Sequence, residues 1–247
     1  MPYRRLPNTD SARLRALKTA LDKTEDFPPF KLPFSVSVFQ ELKYFYPEFK
    51  QAMLYQKETF DRQTARHKSH AESFKKAKLY LSHFIQVFNL AIIRGELKPE
   101  TRSIFNLEGY INKLPQLNTE KELIKWGELL IKGEQIRLSQ GNTPITNPTI
   151  ARVNVHYEEF LKIHRNQKNL QETHNKAVKK VSELRAKADR IILNIWNEVE
   201  EYYSKLSVDE KRFNAEKYGV IYVYRKNEKI SFSNLSFETM SSELKIG

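Results

Sequence analysis

Two stretches of this chain repeat one pattern of core-facing and solvent-facing positions. Stepping alternately by four and three residues, the first stripe reads Phe49, Met53, Gln56, Phe60, Gln63, His67, His70, Phe74, Ala77, Leu81, Phe84, Phe88 and Ala91. The second reads Tyr157, Phe160, His164, Gln167, Gln171, His174, Val178, Val181, Arg185, Ala188, Ile192, Ile195, Val199 and Tyr202. Each stripe holds one phase, which predicts a long amphipathic helix. The spans are 37–94 and 148–205, 58 residues each. A break near "TARHKSH" and "LQETHNK" is the competing reading, but neither Gly nor Pro marks a turn there. Continuity is therefore preferred, with a kink expected at Pro47. Both stripes are apolar at their ends and polar in the middle. Antiparallel packing would set the apolar C-terminal half of each helix beside the N-terminal part of the other, giving two lobes and a polar waist.

The surrounding segments also correspond. "LPNTDSARLRALKTAL" (6–21) matches "LPQLNTEKELIKWGELLI" (114–131), and "YPEF" (46–49) answers "YEEF" (157–160). Gln56-Lys57, Ala77-Lys78 and Leu97 recur in order as Gln167-Lys168, Ala186-Lys187 and Leu206. An ordered series of this kind indicates an internal duplication. In each copy a capped short helix, 10–24 or 119–138, precedes a Pro-punctuated connector ("DFPPFKLPF" or "GNTPITNP") and then the long helix. Thr119 with Glu122 has capping-box spacing. A small helix closes the unit, led in the first copy by Pro99. The expected architecture is all-α: a tandem duplication of a short-plus-long helix unit, with antiparallel long helices in an elongated bundle. Repeat 1 covers 1–113, repeat 2 covers 114–222, and 223–247 forms a hairpin or tail, the repeats packing as one domain. The β-branched and aromatic residues flanking "RKNEK" in "VIYVYRKNEKISF" (220–232) suit a small β-hairpin; an extended tail is the alternative.

Composition narrows the functional classes. Seven glycines in 247 residues agree with a helical chain, and the absence of cysteine excludes disulfides, thiolate-bound zinc and thiol catalysis. No secretory signal and no membrane-length apolar run is visible, so a soluble, cytoplasmic protein is expected. Of the net charge of +12, residues 62–78 carry +5 and residues 162–190 carry +6. The candidates for anion or nucleic-acid contact are Arg62, Arg66, Lys68, Lys75, Lys76, Arg165, Lys168, Lys176, Lys179, Lys180 and Arg185. Such a band suits a phosphate backbone. It equally suits a solvated face, and few aromatics interleave with it.

Four of the six histidines, His67, His70, His164 and His174, lie on the stripes in the same polar stretch. His67 and His70 stand one turn apart, with Glu58, Asp61 and Glu172 as possible oxygen donors, so a mixed N/O metal site is conceivable. His67, His70, His174 and Glu172 are its candidates. The Glu-x-x-His pairs of di-iron bundles are missing. Polar layers that fix helix register are the simpler reading, and no cofactor is expected. Trp126, Trp196, Phe84, Phe88 and Tyr202 read as core. Gly127 and Gly133 inside a helical pattern imply close packing or a kink. No phosphate-binding loop or local catalytic signature occurs.

At "HFIQVFNLAIIRGELKPE" (83–100) and "LIKWGELLIKGE" (123–134) the chain resembles uncharacterised helical proteins of Bacteroidetes-type bacteria, over most of its length. The resemblance implies a bacterial origin and an all-helical fold, and carries no activity. The expectation is a non-enzymatic scaffold or protein-interaction protein, binding a protein partner or itself. A nucleic-acid-binding module acting through the basic stretch is the alternative, and a metal-dependent enzyme using the histidines is the third.

Overall fold

A computed structural model describes residues 3–111 and 113–224. Helix α1 (Asp10–Thr24) starts where the Thr9 hydroxyl accepts from the Ala12 amide at 3.2 Å. Helix α3 (Glu120–Ser139) starts where Thr119 accepts from the Glu122 amide at 3.3 Å. The two caps have nearly the same backbone, φ/ψ −116°/152° and −115°/151°, the extended conformation usual at an N-cap. The long helices α2 (Val36–Ile93, 58 residues) and α4 (Ile150–Tyr202, 53 residues) are continuous through "TARHKSH" and "LQETHNK". Pro47 lies inside α2 without ending it. A 3-10 helix, Pro99–Phe105, follows α2, and helix α5 (Val208–Glu216) takes the corresponding place after α4. The reciprocal capping box is made at α5, between Ser207 and Glu210. The all-α expectation holds: the only strands among the described residues are two of two residues each.

The chain divides into two compact units, each drawing on both sequence halves: Met1–Glu58 with Lys176–Gly247, and Thr59–Asn175. In the first, here the terminal unit, the N-terminal part of α2 runs antiparallel to the C-terminal part of α4. Glu41 meets Arg190 at 2.6 Å and Glu48 meets Lys180 at 3.2 Å. Helix α1 closes a core of Leu17, Leu42, Phe45, Phe49, Ile191, Ile195 and Trp196. A two-residue strand β1 (Tyr3–Arg4) pairs antiparallel with β2 (Tyr222–Val223). In the second, the central unit, the C-terminal part of α2 lies antiparallel to the N-terminal part of α4. Helix α3 and the Pro99–Phe105 turn complete a core of Phe84, Ile85, Phe88, Phe105, Leu123, Trp126 and Phe160. Each fully buried aromatic or branched side chain contributes about 1.5–3 kcal/mol, so these clusters dominate the stability of their units.

Three expectations need correction or limits. Tyr202 is 61% exposed and packs edge-on against Tyr203 instead of entering the core. Phe60 is 53% exposed, while its neighbour Thr59 is buried. Strict four-three stepping assumes 3.5 residues per turn, and an α-helix has 3.6, so the buried line shifts by a residue in the polar stretch. Strand β2 pairs with the chain's N-terminal segment; the remainder of the proposed hairpin lies outside the described residues.

Gly127 and Gly133 mark close packing. A Cβ on Gly127 would clash with one edge of the Tyr157 ring, and one on Gly133 would clash with the Phe105 ring. Tyr157 is fixed there by donating its hydroxyl to the Ile124 carbonyl at 2.9 Å. The end of α3 is held by an internal ion pair. Arg137 donates through Nε and Nη2 to Glu134 at 2.8 and 2.7 Å, and both side chains are buried. Glu134 also accepts from the Ile145 amide at 3.0 Å, tying the connector to the helix. Gly127→Ala should cost about 1–3 kcal/mol through overpacking. Gly109→Ala, with open space around it, should change stability by less than about 0.5 kcal/mol. Urea denaturation of the two variants checks the contrast.

Candidate functional site

The central unit gathers two histidines and one carboxylate from three helices. His70 projects from α2, His164 from α4, and Glu120 is the first residue of α3, placed by its Thr119 cap. Glu120 Oε1 lies 3.1 Å from His70 Nε2, and Oε2 lies 3.5 Å from His164 Nδ1. One donor atom from each of the three falls within 4.8 Å of the other two. The imidazoles stack at 5.8 Å between ring centres, and the Phe160 ring packs against both. His164 is 6% exposed, whereas Glu120 reaches solvent. Burial holds the His164 imidazole below the ordinary histidine range; Glu120 opposes this, and Lys168 and His70 add to it. A cleft of about 600 Å³ opens beside the cluster, lined among others by Phe74, Lys75, Lys78 and Thr119.

The terminal unit shows what the corresponding position does with a different partner. Asp10 is likewise the first residue of its helix, after the Thr9 cap. Arg185 donates to its two oxygens at 2.8 Å each, and Arg13 adds a contact at 3.4 Å. That carboxylate is engaged by permanent guanidinium charge, whereas Glu120 faces two imidazoles.

The sequence-based metal candidates are only partly brought together. His174 bonds the Thr59 hydroxyl through Nδ1 at 3.2 Å and packs beside Phe60. In the antiparallel register His70 sits opposite His164, and Thr59 opposite His174. The two pairs are 11 residues apart on α2, about 16 Å. His67, Glu58, Asp61 and Glu172 are exposed. His70 and His174 thus belong to different layers, and the third member of the cluster, Glu120, read in the sequence only as part of a cap.

The basic candidates divide between the units. Arg62, Arg66, Lys68, Lys75, Lys76, Arg165 and Lys168 belong to the central unit and are exposed. Lys176, Lys179, Lys180 and Arg185 belong to the terminal unit, where Lys180 pairs with Glu48 and Arg185 with Asp10.

A feature missed at the sequence level is an exposed apolar row on the central unit. Leu79, Leu90 and Ile93 on α2 are exposed, as are Ile111 and Leu114 in the segment after the Pro99–Phe105 turn. Leu90, Ile93, Ile111 and Leu114 line a cleft of about 420 Å³ with Gln86, Asn89 and Lys113. The signal was present: Leu79, Gln86, Leu90 and Ile93 share a helical spacing offset from the core stripe.

Arg185 holds the Asp10 carboxyl below its ordinary value of 3.8, with burial opposing. Below that value the unfolded chain takes up the proton more readily than the folded one. The stabilisation is therefore complete above about pH 4 and is lost as pH falls through the depressed folded value. Asp10→Asn should cost about 1 kcal/mol at pH 7, given the partial exposure of Arg185, and should flatten the acid limb of the stability curve. Chemical denaturation between pH 2 and pH 7 measures both effects. No protein-family model, curated protein or solved structure matches this chain, so its function rests on these residues.

Proposed function

We propose that the chain is a non-enzymatic protein-interaction module whose central unit docks a partner through the apolar cleft of Leu90, Ile93, Ile111 and Leu114. The observation that carries the reading is that these four side chains, exposed in the folded chain, converge on one cleft. Contiguous exposed apolar surface of this kind marks sites of protein contact. The groove beside α2 suits an amphipathic helix laid along it. A net charge of +12 disfavours a second copy of the chain and favours an acidic partner, with Lys113 at the cleft as one point of charge contact. Among the described residues no helix is long and apolar enough to cross a membrane, so the exposed row is not read as a membrane span. Leu90→Asp with Ile93→Asp should weaken capture of an acidic partner from source lysate by more than about tenfold while leaving the fold intact. Quantitative pull-down with wild type and variant, and circular dichroism of both, test this. Equal recovery of the same proteins by both would remove the cleft from consideration.

A second reading has its own support. Arg66, Lys68, Lys75 and Lys76 on α2 and Arg165 and Lys168 on α4 are all exposed in the central unit. If this face carries nucleic acid, binding should fall steeply with salt, and Lys75→Ala with Lys76→Ala should reduce the slope by about two. Anisotropy titration of labelled single- and double-stranded DNA and RNA at two salt concentrations decides it; binding that is absent or indifferent to salt removes this reading.

A further inference from the structure

We infer that His70, Glu120 and His164 form a site for one transition-metal ion of the zinc class. The donor set is two imidazoles and one carboxylate, the chemistry zinc, nickel and cobalt accept, and not the all-oxygen shell that magnesium or calcium requires. Around a tetrahedral zinc ion with bonds of about 2.0–2.1 Å, neighbouring donors lie about 3.3 Å apart. Glu120 Oε1 stands 3.1 Å from His70 and Oε2 3.5 Å from His164, and one donor atom from each residue lies within 4.8 Å of the other two, so a small movement of the exposed Glu120 side chain closes the set to that spacing.

The direction of approach adds a second, independent observation. His70 Nε2 is buried and makes no hydrogen bond, although Glu120 Oε1 lies only 3.1 Å away. The oxygen is near the nitrogen but off its donor axis. A simple ion pair would place the carboxylate on that axis, whereas an ion bound by both atoms leaves them side by side. The ligands are also held in advance. They come from three different helices, with the Phe160 ring packed beside both imidazoles and Phe74 edge-on to Phe160, so few degrees of freedom of the two histidines remain to be ordered on binding.

The internal counterpart sharpens the point. Asp10 is occupied by Arg185 and Arg13. Glu120, among the described residues, has ion-pair contacts with His70 and His164. Lys75 and Lys78 line the adjoining cleft, and Lys168 lies close enough to act on His164, so the local field opposes a cation. Lys78 is turned to Asn118 at 2.7 Å. Affinity must therefore come from metal–imidazole bonding, which again selects the zinc class. Three protein ligands leave a coordination position free toward the cleft, for water or a small anion.

The site is independent of the docking cleft proposed above, and its test does not depend on that reading. The full chain, without a histidine tag and stripped with chelator, is titrated with Zn²⁺ by calorimetry and with Co²⁺ by visible absorption; Mg²⁺ serves as the control. One equivalent of zinc, tetrahedral cobalt bands and no response to magnesium are expected. Glu120→Gln, His70→Gln and His164→Gln should each weaken binding beyond the roughly 10–100-fold that loss of an outer partner costs. His67→Gln and His174→Gln should bind as wild type. Circular dichroism monitors folding, and if a histidine variant unfolds, Glu120→Gln, at an exposed carboxylate, decides. No saturable single site in wild type, unchanged affinity in Glu120→Gln, or equal loss in His67→Gln would overturn the assignment.

Discussion

The antiparallel seam between the two long helices is the constraint on which the rest depends. In the terminal unit it brings Glu41 to Arg190 and Glu48 to Lys180. In the central unit it sets Thr59 against His174 and His70 against His164. Once that register is fixed, a change of one residue in pairing would turn buried side chains such as Phe49, Phe84 and Ile195 toward solvent. Those residues are 0–1% exposed, so slippage would cost several kcal/mol. Thr59, Ser73 and His164 are the buried polar residues along the seam, and they favour one register over apolar alternatives.

Two short helices with the same kind of cap present their first acidic residue to different chemistry. The Thr9 and Thr119 caps hold almost the same backbone, and each is followed by an acidic residue directed at the long helices. In one unit guanidinium groups answer the carboxylate; in the other imidazoles do. Arginine keeps its charge across the accessible pH range and serves as a structural clamp. Histidine keeps a lone pair to offer. The difference in partner around the same kind of cap is what separates a packing feature from a site capable of holding a ligand.

Much of this architecture was legible in the order of residues. The stripes running from Phe49 through Phe84 and from Tyr157 through Ile195 and Val199 gave both long helices, and Gly127 and Gly133 gave close approach before any partner was known. The stripe failed where it turned polar, at Phe60, and at its end, at Tyr202. Around Phe60 few large apolar side chains enforce the phase, and Tyr202 is the last residue of α4, one turn beyond the buried Val199. The candidate site was half legible. His70 stood out, but its partners are set by the seam, which here pairs residues 94 positions apart, and by a residue beside a cap whose obvious role is to start a helix. Pairing of that kind is a property of tertiary packing and leaves no local trace. The docking cleft was hidden for another reason: an exposed leucine on a helix differs from a buried one only by what covers it.

The pairing of Tyr3–Arg4 with Tyr222–Val223 bears on how the protein is made. The terminal unit is discontinuous in the chain, while Thr59–Asn175 is one uninterrupted stretch. During synthesis the uninterrupted stretch can collapse on its own as soon as it leaves the ribosome. The first strand must wait for more than two hundred further residues before its mate emerges. Until then the apolar faces of α1 and the start of α2 have no permanent cover. The period of greatest exposure to aggregation and proteolysis therefore belongs to α1 and the start of α2, and it ends only when the C-terminal part of α4 and then β2 have been made.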